Sequence, residues 1–169
     1  MKSGAVQVIC GPGRGKTNAA VGSAISALGN HKNVIMIQFL KGSLETDKMD
    51  VLKRLEPELK VFRFEKAAAF FENLSEEEQE EERMNIRNGL NFAKKVMTIG
   101  ECDLLILDEI LGIIDCGIIT AEELIQHLET REDEMSVILT GKVFPKGLEK
   151  YVDEISMIQD VQVDKNQNE

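Results

Sequence analysis

One short stretch limits what this chain can fold into: Cys10-Gly-Pro-Gly-Arg-Gly-Lys-Thr-Asn18. An apolar run, residues 5–9, precedes it, and residues 18–28 read as a helix. Strand, glycine-rich turn and helix in that order make a phosphate-binding loop. Gly11, Gly13 and Gly15 can take positive φ and bring backbone close to an anion. The helix that follows aims unpaired N–H groups and a positive dipole end at the same point. Lys16 is placed to reach phosphate oxygens, and the Thr17 hydroxyl to ligate Mg2+. An ordinary glycine-rich turn would leave Gly-Lys-Thr at a helix start without a reason.

The spacing is not the usual Gly-x-x-x-x-Gly-Lys-[Ser/Thr], because Cys10 stands where the first glycine belongs and glycine comes one place later. The loop is therefore shorter on its upstream side or bends differently. It is not the dinucleotide pattern Gly-x-Gly-x-x-Gly either, since position 16 is Lys.

The second informative stretch is Asp103-Leu-Leu-Ile-Leu-Asp108-Glu109. Four apolar residues ending in two acids is how a buried strand ends at a magnesium-nucleotide site. Asp108 would hold the metal or its water, and Glu109 would bind metal or orient a nucleophile. Strand-end acids are common, so the weight comes from pairing with Gly-Lys-Thr upstream.

Around these two points the chain alternates strands and helices. Residues 34–39 form a nearly continuous apolar run, as a strand covered on both faces would. Residues 59–64 alternate apolar and charged, as a strand with one wetter face would. Two sequences are capping boxes, Ser75-Glu-Glu-Glu78 and Thr120-Ala-Glu-Glu123. The first opens a long helix whose acidic start, residues 76–82, reads as a solvated face. Its Ile86, Leu90, Ala93 and Met97 form a core stripe. Residues 48–55 and 145–152 read as short helices, 110–119 as apolar and irregular, and 136–141 and 154–158 as further strands. The patch Ala67-Ala-Ala-Phe-Phe71 reads either as a buried connection or as an aromatic ligand wall, with Phe70 and Phe71 to be tested.

The expected fold class is therefore α/β, a mostly parallel sheet of about six strands with helices on both faces. Residues 1–159 would form a single nucleotide-binding domain, and residues 160–169 a polar, frayed tail. Ligands in such sheets bind beyond the carboxyl ends of the strands. The loop, Lys41, Asp108, Glu109 and residues 140–142 all fall there.

Charge narrows the partners. A net charge of −10 disfavours nucleic acid, while Arg14 and Lys16 suit a small anion. Three cysteines and two histidines, without a Cys-x-x-Cys, offer neither a disulfide framework nor a zinc site. No stretch has the length of a membrane span, and the N-terminus does not read as a signal peptide. A cytoplasmic protein without a membrane partner is expected.

Taken together, these residues resemble the phosphate-loop ATP:corrinoid adenosyltransferases of cobalamin synthesis and salvage, from about residue 11 to about residue 158. The likeness rests on Gly11-x-Gly-x-Gly-Lys-Thr17 with Ala19 and Ala20 following, which suits that family's shortened loop. It extends to Gln38-Phe-Leu-Lys-Gly42, Leu107-Asp-Glu109, the acidic stretch at 122–124 and Leu139-Thr-Gly141. The resemblance implies a three-layer, RecA-like phosphate-loop fold. It implies transfer of the 5′-deoxyadenosyl group of ATP to the Co(I) centre of a corrinoid, with triphosphate leaving. Gly11, Pro12, Gly13, Arg14, Gly15, Lys16, Thr17 and Asn18 would bind ATP. Thr17, Asp108 and Glu109 would serve Mg2+, Lys16 and Glu109 would act in catalysis, and Phe70 and Phe71 would face the corrinoid. A homodimer and an electron-donor flavoprotein are further implications.

The chain departs from the family pattern at Asn18, where a second Thr is usual, and in having no Trp. It also has Thr140-Gly-Lys142 in place of Thr-Gly-Arg, and lacks a Gly-rich end with a late aromatic. Two other classes stay open on the residues alone. One is a phosphoryl-transferring ATPase or small-molecule kinase, the other a non-catalytic nucleotide or corrinoid-binding module.

Overall fold

The structure, a computed structural model, describes residues 3–39, 50–64 and 71–164. Among the described residues six strands form one sheet: β1 (Val6–Cys10), β2 (Val34–Gln38), β3 (Leu59–Arg63), β4 (Leu104–Asp108), β5 (Ser136–Thr140) and β6 (Glu154–Met157). Their order is β3-β2-β4-β5-β1-β6, and every pairing is parallel. Parallel strands need long crossovers, and those that follow β1, β3 and β4 are supplied by helices. These are α1 (Lys16–Gly29), α2 (Glu76–Ile99), α3 (Ile110–Asp115) and α4 (Ala121–Glu129).

Strand periodicity divides the apolar residues between two cores. Val34, Met36, Leu104, Ile106 and Ile138 face one side, where Ala20 and Ala24 of α1 and Leu52 cover them. Ile35, Ile37, Leu105, Leu107, Val137 and Leu139 face the other, under α2, α3 and α4. Central strands β2 and β4 are buried along their whole length. Each large side chain so enclosed contributes about 1.5–3 kcal/mol. Ala20 and Ala24, one turn apart, let α1 lie close to the sheet, which brings its first turn over the strand ends.

Both capping boxes form as expected. The Ser75 hydroxyl accepts from the Glu78 N–H, and the Glu78 carboxylate accepts from the Ser75 N–H. Thr120 and Glu123 do the same for α4. The stripe Ile86, Leu90, Ala93 and Met97 is buried.

The acidic start of α2 is not wholly a solvated face. Glu82 is only 4% exposed and is partnered. It lies one turn before Ile86, on the inward stripe. Residues 110–115, expected to be irregular, form α3 because Ile110, Leu111 and Ile113 all turn into the core. Residues 48–55 and 145–152 hold shorter, tighter 3-10 turns, Asp50–Leu55 and Glu149–Tyr151. Among the described residues no helix is long and apolar enough to cross a membrane.

Candidate functional site: the carboxyl edge of the sheet

The last residues of β3, β2 and β4 are Arg63, Gln38 and Asp108, and the strand register sets them side by side. Thr140 ends β5 and pairs with Ile9 of β1, one residue before the loop. The parallel sheet thus brings the loop and the strand-end acid to one edge.

The loop itself is fixed by backbone. Gly11 N–H donates to Lys142 O at 3.0 Å and Gly13 N–H to Ile158 O at 2.9 Å, while Ile158 N–H donates to Cys10 O at 2.8 Å. Gly11 has φ +114°, and a Cβ there would lie 2.3 Å from Ile158 O. A Cβ on Gly13 would sit 2.9 Å from the backbone of Gln159 and Asp160. These two glycines are therefore needed for close approach of the chain that follows β6. Asp160, first residue of the expected polar tail, accepts from Arg14 N–H at 3.2 Å and 3.4 Å through its two oxygens. Pro12, Arg14 and Asn18 are exposed.

Gly15, φ +97°, turns the chain into α1. Among the described residues no side chain caps this helix, and its first turn holds no acidic residue, unlike α2 and α4. Its leading N–H groups and dipole therefore favour an anion from outside the helix. The Lys16 ammonium donates to Gly13 O at 2.8 Å and Gly11 O at 2.9 Å, bridging the bend. Beside it, burial pushes the Cys10 thiol pKa up, against the lowering effect of Lys16.

Asp108 lies at the centre of a buried network. The Thr17 hydroxyl donates to its carboxylate, 3.1 Å from either oxygen. The Thr140 hydroxyl donates to Oδ1 at 2.6 Å, and Gln38 Nε2 donates to Oδ2 at 3.1 Å. Asp108, Thr140 and Gln38 are each at most 1% exposed. Glu109 is only half-buried, and its backbone turns left-handed at φ +65°. Its N–H donates to Thr140 Oγ1 at 2.9 Å. That turn separates the two neighbouring acids, one fully buried in the network and one half-buried.

Thr17 and Asp108, expected together, are together. Phe71 opens a 3-10 turn, Phe71–Asn73, packs against the larger core and carries the Arg83 guanidinium 5.2 Å from its ring centroid. Phe70, Lys41 and Gly42 lie outside the described residues. Roles for Gln38, Arg63 and Asp160 were not read from the sequence. For Gln38 the signal was one polar residue closing an otherwise apolar, fully buried strand. Arg63 looked like part of a wet strand face.

The model of the family described as ATP:corrinoid adenosyltransferase BtuR/CobO/CobP matches residues 2–168. The chain belongs to this family. Among relatives, the corrinoid adenosyltransferase of Escherichia coli (strain K12) is 28% identical over 158 residues, covering 94% of this chain and 78% of that protein. The corrinoid adenosyltransferase CobA of Salmonella typhimurium has the same identity and coverage. The KaiC-like protein PH0186 of Pyrococcus horikoshii OT3 superposes with a TM-score of 0.60 over 96% of this chain and 76% of that one, at 16% identity. That likeness is one of fold alone, an α/β fold built on a parallel sheet. For an adenosyltransferase of this family, the carboxyl edge of the sheet is where the loop, Thr17 and Asp108 converge.

Proposed function

We propose that this chain transfers the 5′-deoxyadenosyl group of ATP to the Co(I) centre of a corrinoid, releasing triphosphate, in adenosylcobalamin synthesis or salvage. The observation that carries the reading is the family match across nearly the whole chain. The uncapped start of α1 beneath a three-glycine loop supports its nucleotide half.

In this reading Co(I) attacks C5′ of the ribose, the C5′–oxygen bond breaks, and its electron pair leaves with the triphosphate. The protein has two tasks: to hold C5′ in line with cobalt and to stabilise charge on the departing triphosphate. The backbone N–H groups of residues 15–18, at the turn into α1, cradle phosphate oxygens, while those of Gly11, Gly13 and Arg14 hold the loop's own shape. Lys16, which already spans the bend, adds a mobile positive charge, and exposed Arg14 and Asn18 edge the same loop. Phe71, with Phe70, faces the corrinoid and favours a cobalt stripped of its lower ligand.

Mg2+ fits the residues present. It takes hard oxygens, keeps much of its water, and binds through one or two carboxylates plus substrate phosphates. The Thr17 hydroxyl and Asp108 carboxylate, in contact at 3.1 Å, supply that donor set, with Glu109 next in sequence. When bound, the ion offsets negative charge on the triphosphate. The same reading includes a cytoplasmic homodimer that receives electrons from a flavoprotein.

The test supplies ATP, Mg2+ and a chemically reduced corrinoid. Light-sensitive adenosylated product with free triphosphate is expected. ADP and phosphate as the only products would instead support a phosphoryl-transferring enzyme. Tight corrinoid binding without turnover would support a binding module. Lys16→Ala should weaken ATP binding strongly while leaving the fold intact.

A further inference from the structure

Asp108 is held by more than the loop threonine, and the far end of its support lies two strands away. Arg63 Nε–H, at the end of β3, donates to Gln38 Oε1 at 3.0 Å. Gln38, at the end of β2, turns its other amide atom, Nε2, to Asp108 Oδ2 at 3.1 Å. We propose that Arg63 and Gln38 form a positioning relay that holds the Asp108 carboxylate in register with Thr17 for Mg2+-nucleotide binding. The inference rests on the nucleotide reading above and adds two positioning residues to it.

The physical basis is the direction of a buried amide. A glutamine side chain has nearly the same shape with its oxygen and nitrogen exchanged, so its partners decide which way it faces. Arg63 Nε can only donate. It therefore commits Gln38 to present Oε1 toward β3, which leaves Nε2, a donor, facing the acceptor Asp108. The opposite orientation would set donor against donor at Arg63 and oxygen against carboxylate at Asp108. At 1% exposure Gln38 has no water to soften either clash.

The outcome at Asp108 is a clamp. Oδ2 receives Gln38, Oδ1 receives Thr140, and Thr17 lies 3.1 Å from both. With both oxygens tied from opposite sides, the carboxylate plane cannot rotate away from the Thr17 hydroxyl. Loss of the Gln38 donor frees one side. Loss of Arg63 removes what keeps that donor pointing the right way.

The experiment is a double-mutant cycle read by ATP binding, not turnover. Wild type, Arg63→Met, Gln38→Met and the double variant are titrated with ATP at several Mg2+ concentrations and without Mg2+. Each single variant should weaken Mg2+-dependent ATP binding about tenfold, as loss of a hydrogen bond to a charged group does. The double variant should be no weaker than Gln38→Met alone, because Arg63 acts only through Gln38. Binding without Mg2+ should stay close to wild type. Losses that multiply in the double variant would overturn the relay, as would equal losses with and without Mg2+. Arg63→Lys keeps the charge but not the fixed Nε–H, and should behave like Arg63→Met. If it binds like wild type, charge alone suffices and the relay is wrong. This half-exposed position carries the test by itself if thermal melting shows Gln38→Met to be unfolded. A wild-type chain with no Mg2+-dependent ATP binding would refute the nucleotide reading rather than the relay.

Discussion

The hydroxyl of Thr17 lies 3.1 Å from each carboxylate oxygen of Asp108, although 91 residues of chain separate them. Helix α1 supplies one partner and strand β4 the other, so the contact exists only when α1 is docked on the sheet. Thr17→Ser retains the hydroxyl and should bind Mg2+-ATP within a few-fold of wild type. Thr17→Ala should lose about tenfold or more, the effect of removing a hydrogen bond to a charged group. Titration of a fluorescent ATP analogue with and without Mg2+ measures both.

Glycines of the loop and of α1 should respond in opposite directions. Gly11→Ala forces a Cβ to 2.3 Å from Ile158 O at φ +114°. It should destabilise the fold by about 1–3 kcal/mol, the scale of a strained backbone residue. Gly22→Ala, inside α1, meets nothing within 4 Å. It should stabilise by about 0.5–1 kcal/mol through helix propensity. Denaturant melts of the two variants give the comparison.

His127 makes stability depend on pH. Burial, then the Lys94 ammonium, lowers its pKa below the ordinary 6.5; Glu123 opposes this and Arg87 adds to the lowering. The folded state therefore holds the proton less tightly than the unfolded chain. Its contribution is fully present above 6.5 and is lost as pH falls from there toward the lowered folded value. Urea unfolding at a series of pH values should show stability falling on acidification through that window. His127→Gln should flatten this part of the curve.

Phe71, held beneath Arg83, is expected to act on the corrinoid rather than on ATP. Phe71→Ala should therefore reduce turnover more when Co(II) must be reduced in the assay than when Co(I) is supplied preformed. Equal losses in the two assays would remove its assigned role.

Much of this architecture is written locally. Continuous apolar runs mark β2 and β4, capping boxes mark α2 and α4, and the glycines with Lys16 and Thr17 mark the loop, because each follows from neighbours in sequence. What was hidden depends on register between distant strands. Gln38 meets Arg63 and Asp108 only once β2 lies between β3 and β4. Glu82 and α3 were misread for a related reason: a charge run and an apolar run each conceal which residue faces inward until the neighbouring element is in place. Asp160 lay in a polar stretch without periodicity, and only the return of β6 beside β1 brings it to Arg14.

The seam between Gly13 and Ile158 sets an order on the birth of this molecule. The glycine-rich bend is translated well before β5 and β6, which are the two sheet neighbours of β1. A nascent polypeptide that has not yet reached Ile158 carries the bend exposed and unbuttressed, and a chain cut short before that residue has it without its backing. The bend is made before the strands that complete it.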